Sequence, residues 1–74
     1  MKSMTLTAIL NAEGTGYVAL CPELDIASQG ESVEESIANL KEAVEGFIEC
    51  ASPGEIQNRL GKPSLFTHFE VMCA

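Results

Sequence analysis

The sequence predicts an α+β domain: a four-stranded mixed sheet in the order β-β-β-α-β, with one main helix lying on one face. Three observations lead there. Residues 32–50 repeat apolar side chains at the spacing of one helix face. Residues 4–11 and 17–21 alternate on either side of a glycine-rich turn, and residues 65–73 alternate strictly. With 74 residues the chain makes a single domain, 1–74, and at this size only ~60% of the unfolded surface can be buried. So small a core calls for support from a disulfide, a metal or another subunit.

In residues 4–11, Met4, Leu6, Ala8 and Leu10 share one face, and Thr5, Thr7, Ile9 and Asn11 the other. Residues 11–16, with Gly14 and Gly16, have the chemistry of a turn. Residues 17–21 then alternate Tyr17, Ala19 and Cys21 against Val18 and Leu20, so the pair reads as an antiparallel hairpin. Pro22 has no N–H to give a ladder and ends the second strand. Residues 26–29 form a short third strand.

The helix over 32–50 opens on a capping box, Ser32 with Glu35 three residues on, and ends at Ser52-Pro53-Gly54. Eighteen residues at ~1.5 Å each make a rod of roughly 27 Å, about the width of a small sheet. Its apolar side holds Val33, Ile37, Leu40, Val44, Phe47, Ile48 and Ala51. Its other side holds Glu34, Glu35, Lys41, Glu42, Glu45 and Glu49. Ser52, Pro53 and Glu55 start a second, short helix over about 54–60, with Gly61 and Pro63 as its stop.

Residues 65–73 are the last strand, with Leu65, Thr67, Phe69, Val71 and Cys73 on one face and Phe66, His68, Glu70 and Met72 on the other. A meander sets the third strand parallel to the first. The right-handed crossover rule then returns the fourth parallel to the first, with the helix on one face. One helix covers one sheet face, yet both phases of the strands carry large apolar residues. Leu6, Leu10, Leu65 and Phe69 lie in one phase and Ile9, Phe66 and Met72 in the other, where Val18 or Tyr17 joins them. Such an uncovered face predicts a homo-oligomer, a dimer or larger, with Ile9, Phe66 and Met72 at its interface.

The formal net charge is −7, from eleven acids against Lys2, Lys41, Arg59 and Lys62. Nucleic-acid binders need a basic footprint, so direct contact with phosphate is disfavoured and a basic partner is favoured. The acids are also clustered: eight of the eleven lie between Glu23 and Glu49, opposed only by Lys41. Three cysteines, Cys21, Cys50 and Cys73, include no CxxC or CxxH pair. They read as reduced, mostly buried thiols of a cytosolic protein, with no metal site. The first ten residues are too short and polar for a signal peptide, and no run approaches the roughly 20 apolar residues of a membrane span. A soluble, cytoplasmic protein is expected.

Candidate chemistry is sparse. Gly14-Thr15-Gly16 opens a strand, not a helix, and so is a hairpin turn rather than a phosphate loop. His68 has only Glu70 beside it on its strand face, which leaves it without the company that nucleophilic or acid-base catalysis needs. Glu23, Asp25 and Glu31 surround the third strand, but the first strand carries no acid to complete a two-metal nuclease site. No catalytic residue and no cofactor is expected. The acidic helix side, where Glu35, Glu42 and Glu49 repeat every seven residues, is either solvated cover or a docking face for a basic protein.

Residues 16–24, with Gly16-Tyr17 at a strand start and Pro22-Glu23-Leu24 at a corner, together with residues 28–43, with Gly30-Glu31-Ser32 leading into a helix that reaches Lys41-Glu42-Ala43, resemble the HicB-like antitoxin family. The likeness extends over roughly residues 4–50. It implies a degenerate ribonuclease-H-like sheet without catalytic acids. It also implies a protein that neutralises a small, basic, RNA-cleaving toxin by occluding its surface, with Glu34, Glu35, Glu42, Glu45 and Glu49 as the partner-binding carboxylates. Two departures stand out. Many members carry a C-terminal DNA-binding segment, whereas this sequence stops at Ala74, so direct contact with DNA is not expected. Family members often have a proline-glycine-cysteine turn where this chain has Asp25-Ile26-Ala27. The alternatives are an orphan dimerisation or interaction module without a toxin, and a degenerate metal-dependent nuclease built around Asp25.

Overall fold

The computed structural model describes residues 3–62 and 64–74. Lys2 among the bases and Pro63 in the second helix stop lie outside the described residues. Three strands form an antiparallel meander, β1 (Ile9–Glu13), β2 (Gly16–Cys21) and β3 (Ile26–Gly30), in that spatial order. They are followed by α1 (Val33–Cys50) and α2 (Pro53–Leu60). The α+β class is as expected.

The hairpin is tighter than the sequence implies. Glu13 pairs with Gly16, which leaves Gly14-Thr15 as a two-residue loop, and Gly14 takes a φ of 60° at its first position. Glycine with positive φ at that position is the type II′ pattern, whose twist matches the flanking strands. The expected loop over 11–16 therefore shrinks, and β1 runs on to Glu13. At its other end β1 begins at Ile9, not Met4, because β2 stops at Pro22 and residues 4–8 outrun their ladder partner. Asp25, at φ 55°, turns the chain from β2 into β3. A short polar side chain tolerates that left-handed conformation.

Register assigns the faces. Ala19 lies opposite Leu10 and Ser28, and Cys21 opposite Ile26. This face looks at the helices, and its core is Ala19, Cys21, Leu24, Leu40 and Val44, flanked by Leu6, Leu10, Ile26, Phe47, Ile48 and Leu60. The opposite face carries Ile9 beside Leu20, and Val18 between Asn11 and Gln29. Val18, not Tyr17, therefore joins the uncovered face.

α1 is capped as predicted, with Ser32 Oγ accepting from the Glu35 amide at 3.0 Å. The Glu35 carboxylate reaches one residue further back than a capping box requires and accepts from the Glu31 amide at 2.9 Å. The buried stripe is Ser36, Leu40 and Val44, at successive steps of four. Ser36 was not anticipated in the core. It is fully buried because its hydroxyl donates to Val33 O at 2.8 Å, inside its own first turn. Ile37, expected on the apolar side, is 41% exposed. α1 packs across β3 and β2 rather than over the whole sheet. Asn39 Nδ2 donates to Gln29 O at 2.8 Å, which ties the helix to β3. α2 starts at Pro53 under a Ser52 cap, one residue earlier than expected. Arg59 holds it down: its guanidinium donates to Leu24 O, pairs with Glu55 at 3.6 Å, and stands 4.4 Å over the Phe47 ring.

The fourth strand and the mixed, parallel closure of the sheet are the main corrections. Residues 64–74 make no ladder, and every one of them is exposed. A strand exists only through backbone ladder bonds to a neighbouring strand, and within the single chain this segment makes none, so the sheet stays three-stranded and antiparallel. The thiols also differ from expectation. All three are free, but only Cys21 is buried.

Gly30 marks where α1 meets the sheet. A Cβ built there would stand 2.6 Å from the Ser36 amide nitrogen and 2.9 Å from Glu35 C, both backbone atoms that cannot swing aside. Gly30→Ala is expected to cost about 2 kcal/mol or more through this overpacking. Urea denaturation followed by circular dichroism measures it, and a loss below about 0.5 kcal/mol would show that the helix start is not tightly seated.

Candidate partner-binding face

The long helix sets out the acidic residues. At ~100° per residue, Glu34, Glu42, Glu45 and Glu49 fall within a sector of roughly 80°, turned away from the Ser36–Leu40–Val44 stripe. All four are exposed. Among the described residues the sole ion pair is Arg59 with Glu55, and none of these four carboxylates is paired with another described residue, although Lys41 stands on the same helix beside Glu45. Glu35 is exposed too, but its carboxylate is committed to the N-terminal cap. Of the five expected partner-binding residues, four share the stripe and one serves the fold.

The interface residues expected from strand alternation are not brought together. Ile9 is half-buried on the outer sheet face beside Leu20. Phe66 and Met72 lie on the unpaired C-terminal segment, 58% and 100% exposed.

The acids around β3 do not converge either. Asp25 precedes the strand and Glu31 follows it, which separates them by roughly 20 Å of extended backbone. Both Glu23 carboxylate oxygens are occupied by Thr7: the amide donates at 3.1 and 3.0 Å, and Oγ1 donates at 2.6 Å. Among the described residues no three His, Cys, Asp or Glu side chains stand close enough to hold a metal ion. His68 and Glu70 are both exposed on the C-terminal segment.

The Thr7–Glu23 contact was not visible in the sequence, since its members lie 16 positions apart. It pins residues 4–8 against the corner between β2 and β3. The Thr7 hydroxyl holds the Glu23 carboxyl below the usual glutamate range, against a smaller opposing effect of burial. Cys21 lies under this contact, with its Sγ 3.5 Å from Glu23 Oε1, and burial raises its thiol pKa.

A second feature is an apolar groove of about 550 Å³ between the segment 3–8, which leads into β1, and α1. Met4, Leu6 and Ala8 form one wall, and Ile37, Leu40, Val44 and Ile48 the other, with Lys41 and Glu45 at the rim. It exists because α1 lies over β3 and β2 and leaves the β1 side of the sheet open.

No family model matches the chain. A UPF0150 protein of Helicobacter pylori (strain J99) is 32% identical over 72 residues, covering 96% of this chain and all of the relative. The chain belongs to the UPF0150 family. A second UPF0150 protein, from Synechocystis sp., is 46% identical over 46 residues, covering 60% of this chain and 64% of the relative. No solved structure matches. Among the described residues no helix is long and apolar enough to cross a membrane.

Because the folded-state pKa of Glu23 is depressed, its stabilising contribution is full above the ordinary glutamate pKa. It is lost as pH falls through the lower folded value. Glu23→Gln is therefore expected to be less stable than the parent at pH 7 and to approach it in acid. Thermal unfolding of both proteins between pH 7 and pH 3 checks this, and parallel curves would show that the Thr7–Glu23 contact is not linked to protonation.

Proposed function

We propose that this UPF0150 protein is an antitoxin-like binding protein that neutralises a small, basic, RNA-cleaving toxin by covering its surface. The observation that carries the reading is the line Glu34, Glu42, Glu45 and Glu49 on the exposed side of α1. Carboxylates spaced along a rigid rod match the basic groove of an RNA-cleaving protein, because each can stand where a phosphate of the RNA would sit. The resemblance to HicB-like antitoxins supports the same class of partner and the ribonuclease-H-like ancestry of the sheet. The protein itself works as a cover and carries out no catalysis. Placing the acids on a long helix, capped at its start by Ser32 and Glu35, fixes their spacing before the partner arrives and lowers the ordering cost of binding.

Charge pairing across the rim of such an interface sets on-rate and salt dependence. Glu42→Lys with Glu49→Lys is expected to weaken binding about tenfold at low salt and to flatten its salt dependence. The measurement is titration calorimetry at two salt concentrations against a small, basic, RNA-cleaving protein of the class proposed. Unchanged affinity and unchanged salt dependence would reduce the acidic stripe to solvated cover.

A further inference from the structure

We propose that residues 65–73 form a strand exchanged between two copies of this chain. Each arm adds to the free edge of β1 and the residues before it in its partner, and fills the groove between residues 3–8 and α1. The arm and its acceptor are both present in one chain, and both are unsatisfied. On the arm, Leu65, Phe69 and Met72 are 90%, 84% and 100% exposed. An apolar segment of this size is seldom left in water by a monomer. On the acceptor side, β1 ends the sheet, so the outer row of its backbone groups faces no strand. The groove lies under residues 3–8, which lead into that edge.

Dimensions and pattern agree. Nine residues at ~3.3 Å each give the arm a length of roughly 30 Å, which matches β1 together with the extended residues 4–8 before it. Adding a strand at that edge directs alternate side chains to the two faces of the sheet. Leu65, Phe69 and Val71 then enter the groove against Leu6, Val44 and Ile48, while Phe66 and Met72 extend the outer patch of Ile9, Leu20 and Val18. A single strand with two apolar phases thereby accounts for two apolar faces. Within one chain no such side chain is covered.

The occupant is a second copy because every residue of the arm is exposed in the single chain, so it does not fill its own groove. It leaves α2 beside the β2–β3 corner, where Ser64 Oγ lies 3.5 Å from Pro22 O, and runs out into solvent. The Cα radius of gyration is 14.7 Å and the longest dimension 50 Å, whereas a compact chain of this length has a radius of about 11 Å. Reciprocal exchange satisfies both arms and both β1 edges under one twofold axis, which closes the assembly at two copies. Two docked arms bury on the order of 1,600 Å², the size of a standard stable interface. The exchange uses the side of α1 that carries Ile37, Val44 and Ile48 and meets the acidic stripe only at Glu45 on the groove rim, so Glu34, Glu42 and Glu49 stay free and the exchange does not rest on the toxin-binding proposal.

Two measurements on the full chain test it. Light scattering after size exclusion is expected to give a dimer, and Phe69→Glu, which changes only a side chain that the monomer exposes, is expected to give a monomer with unchanged helix content. A monomeric parent, or a Phe69→Glu variant that stays dimeric, would overturn the proposal. Next, chains carrying Cys50→Ser and a spin label on Cys73 are mixed with unlabelled-thiol, ¹⁵N-labelled chains. Line broadening of amides from residues 4–12 in the ¹⁵N chains is expected, since only a neighbouring copy can bring the label there. Broadening confined to other regions, or seen only when label and isotope share one chain, would show face-to-face pairing or an arm folded onto its own groove, and either result would sink the exchange.

Discussion

Ala19 and Cys21, the two buried residues of the central strand, are short enough to let α1 lie close to the sheet, and Leu40 and Val44 fill the space above them. This contact is the one on which the other parts depend. It fixes the height of α1, and the absence of a side chain at Gly30 lets the first turn of the helix settle against the end of β3. Ser36 can enter the core because its hydroxyl bonds within its own turn and asks nothing of its neighbours. With the helix seated over β2 and β3, the acidic side is carried outward and the β1 side is left uncovered. One packing decision therefore produces both surfaces of interest.

The rest of the chain braces that contact. Arg59 joins α2 to the Leu24 carbonyl at the β2–β3 corner and stacks on Phe47 from α1, so three elements meet at one guanidinium. Glu23 draws residues 4–8 to the same corner through Thr7. Both ties are polar contacts around a small core of five buried apolar residues. A chain of this size cannot bury enough apolar surface to dispense with them.

The hairpin, the third strand and both helices were legible because each is written in local chemistry: alternation, a glycine at a tight turn, Pro22 as a stop, and serine caps confirmed at Ser32 and Ser52. The line of Glu34, Glu42, Glu45 and Glu49 was legible for the same reason, since helical spacing alone puts residues on one side. The diversion of Glu35 into the cap was partly legible, as its place three residues after Ser32 already announced that role. The Thr7–Glu23 and Arg59–Leu24 contacts were not legible. They join positions far apart in the chain, and nothing in the local pattern of either member names the other.

Residues 65–73 mark the boundary between the two kinds of information. Their alternation is a property of the sequence, and it specifies a strand with apolar side chains on both faces. A strand's hydrogen bonds belong to its neighbour as much as to itself, and which neighbour it takes depends on where α2 releases it and which edge stands open. Composition and periodicity settled the class, the helices, the meander and the placement of charge, because these follow from spacing within a single element. The three-stranded sheet, the open groove beside β1 and the outward course of the C-terminal arm followed from how α1 sits across β2 and β3. That packing is a relation between elements, and no single segment encodes it.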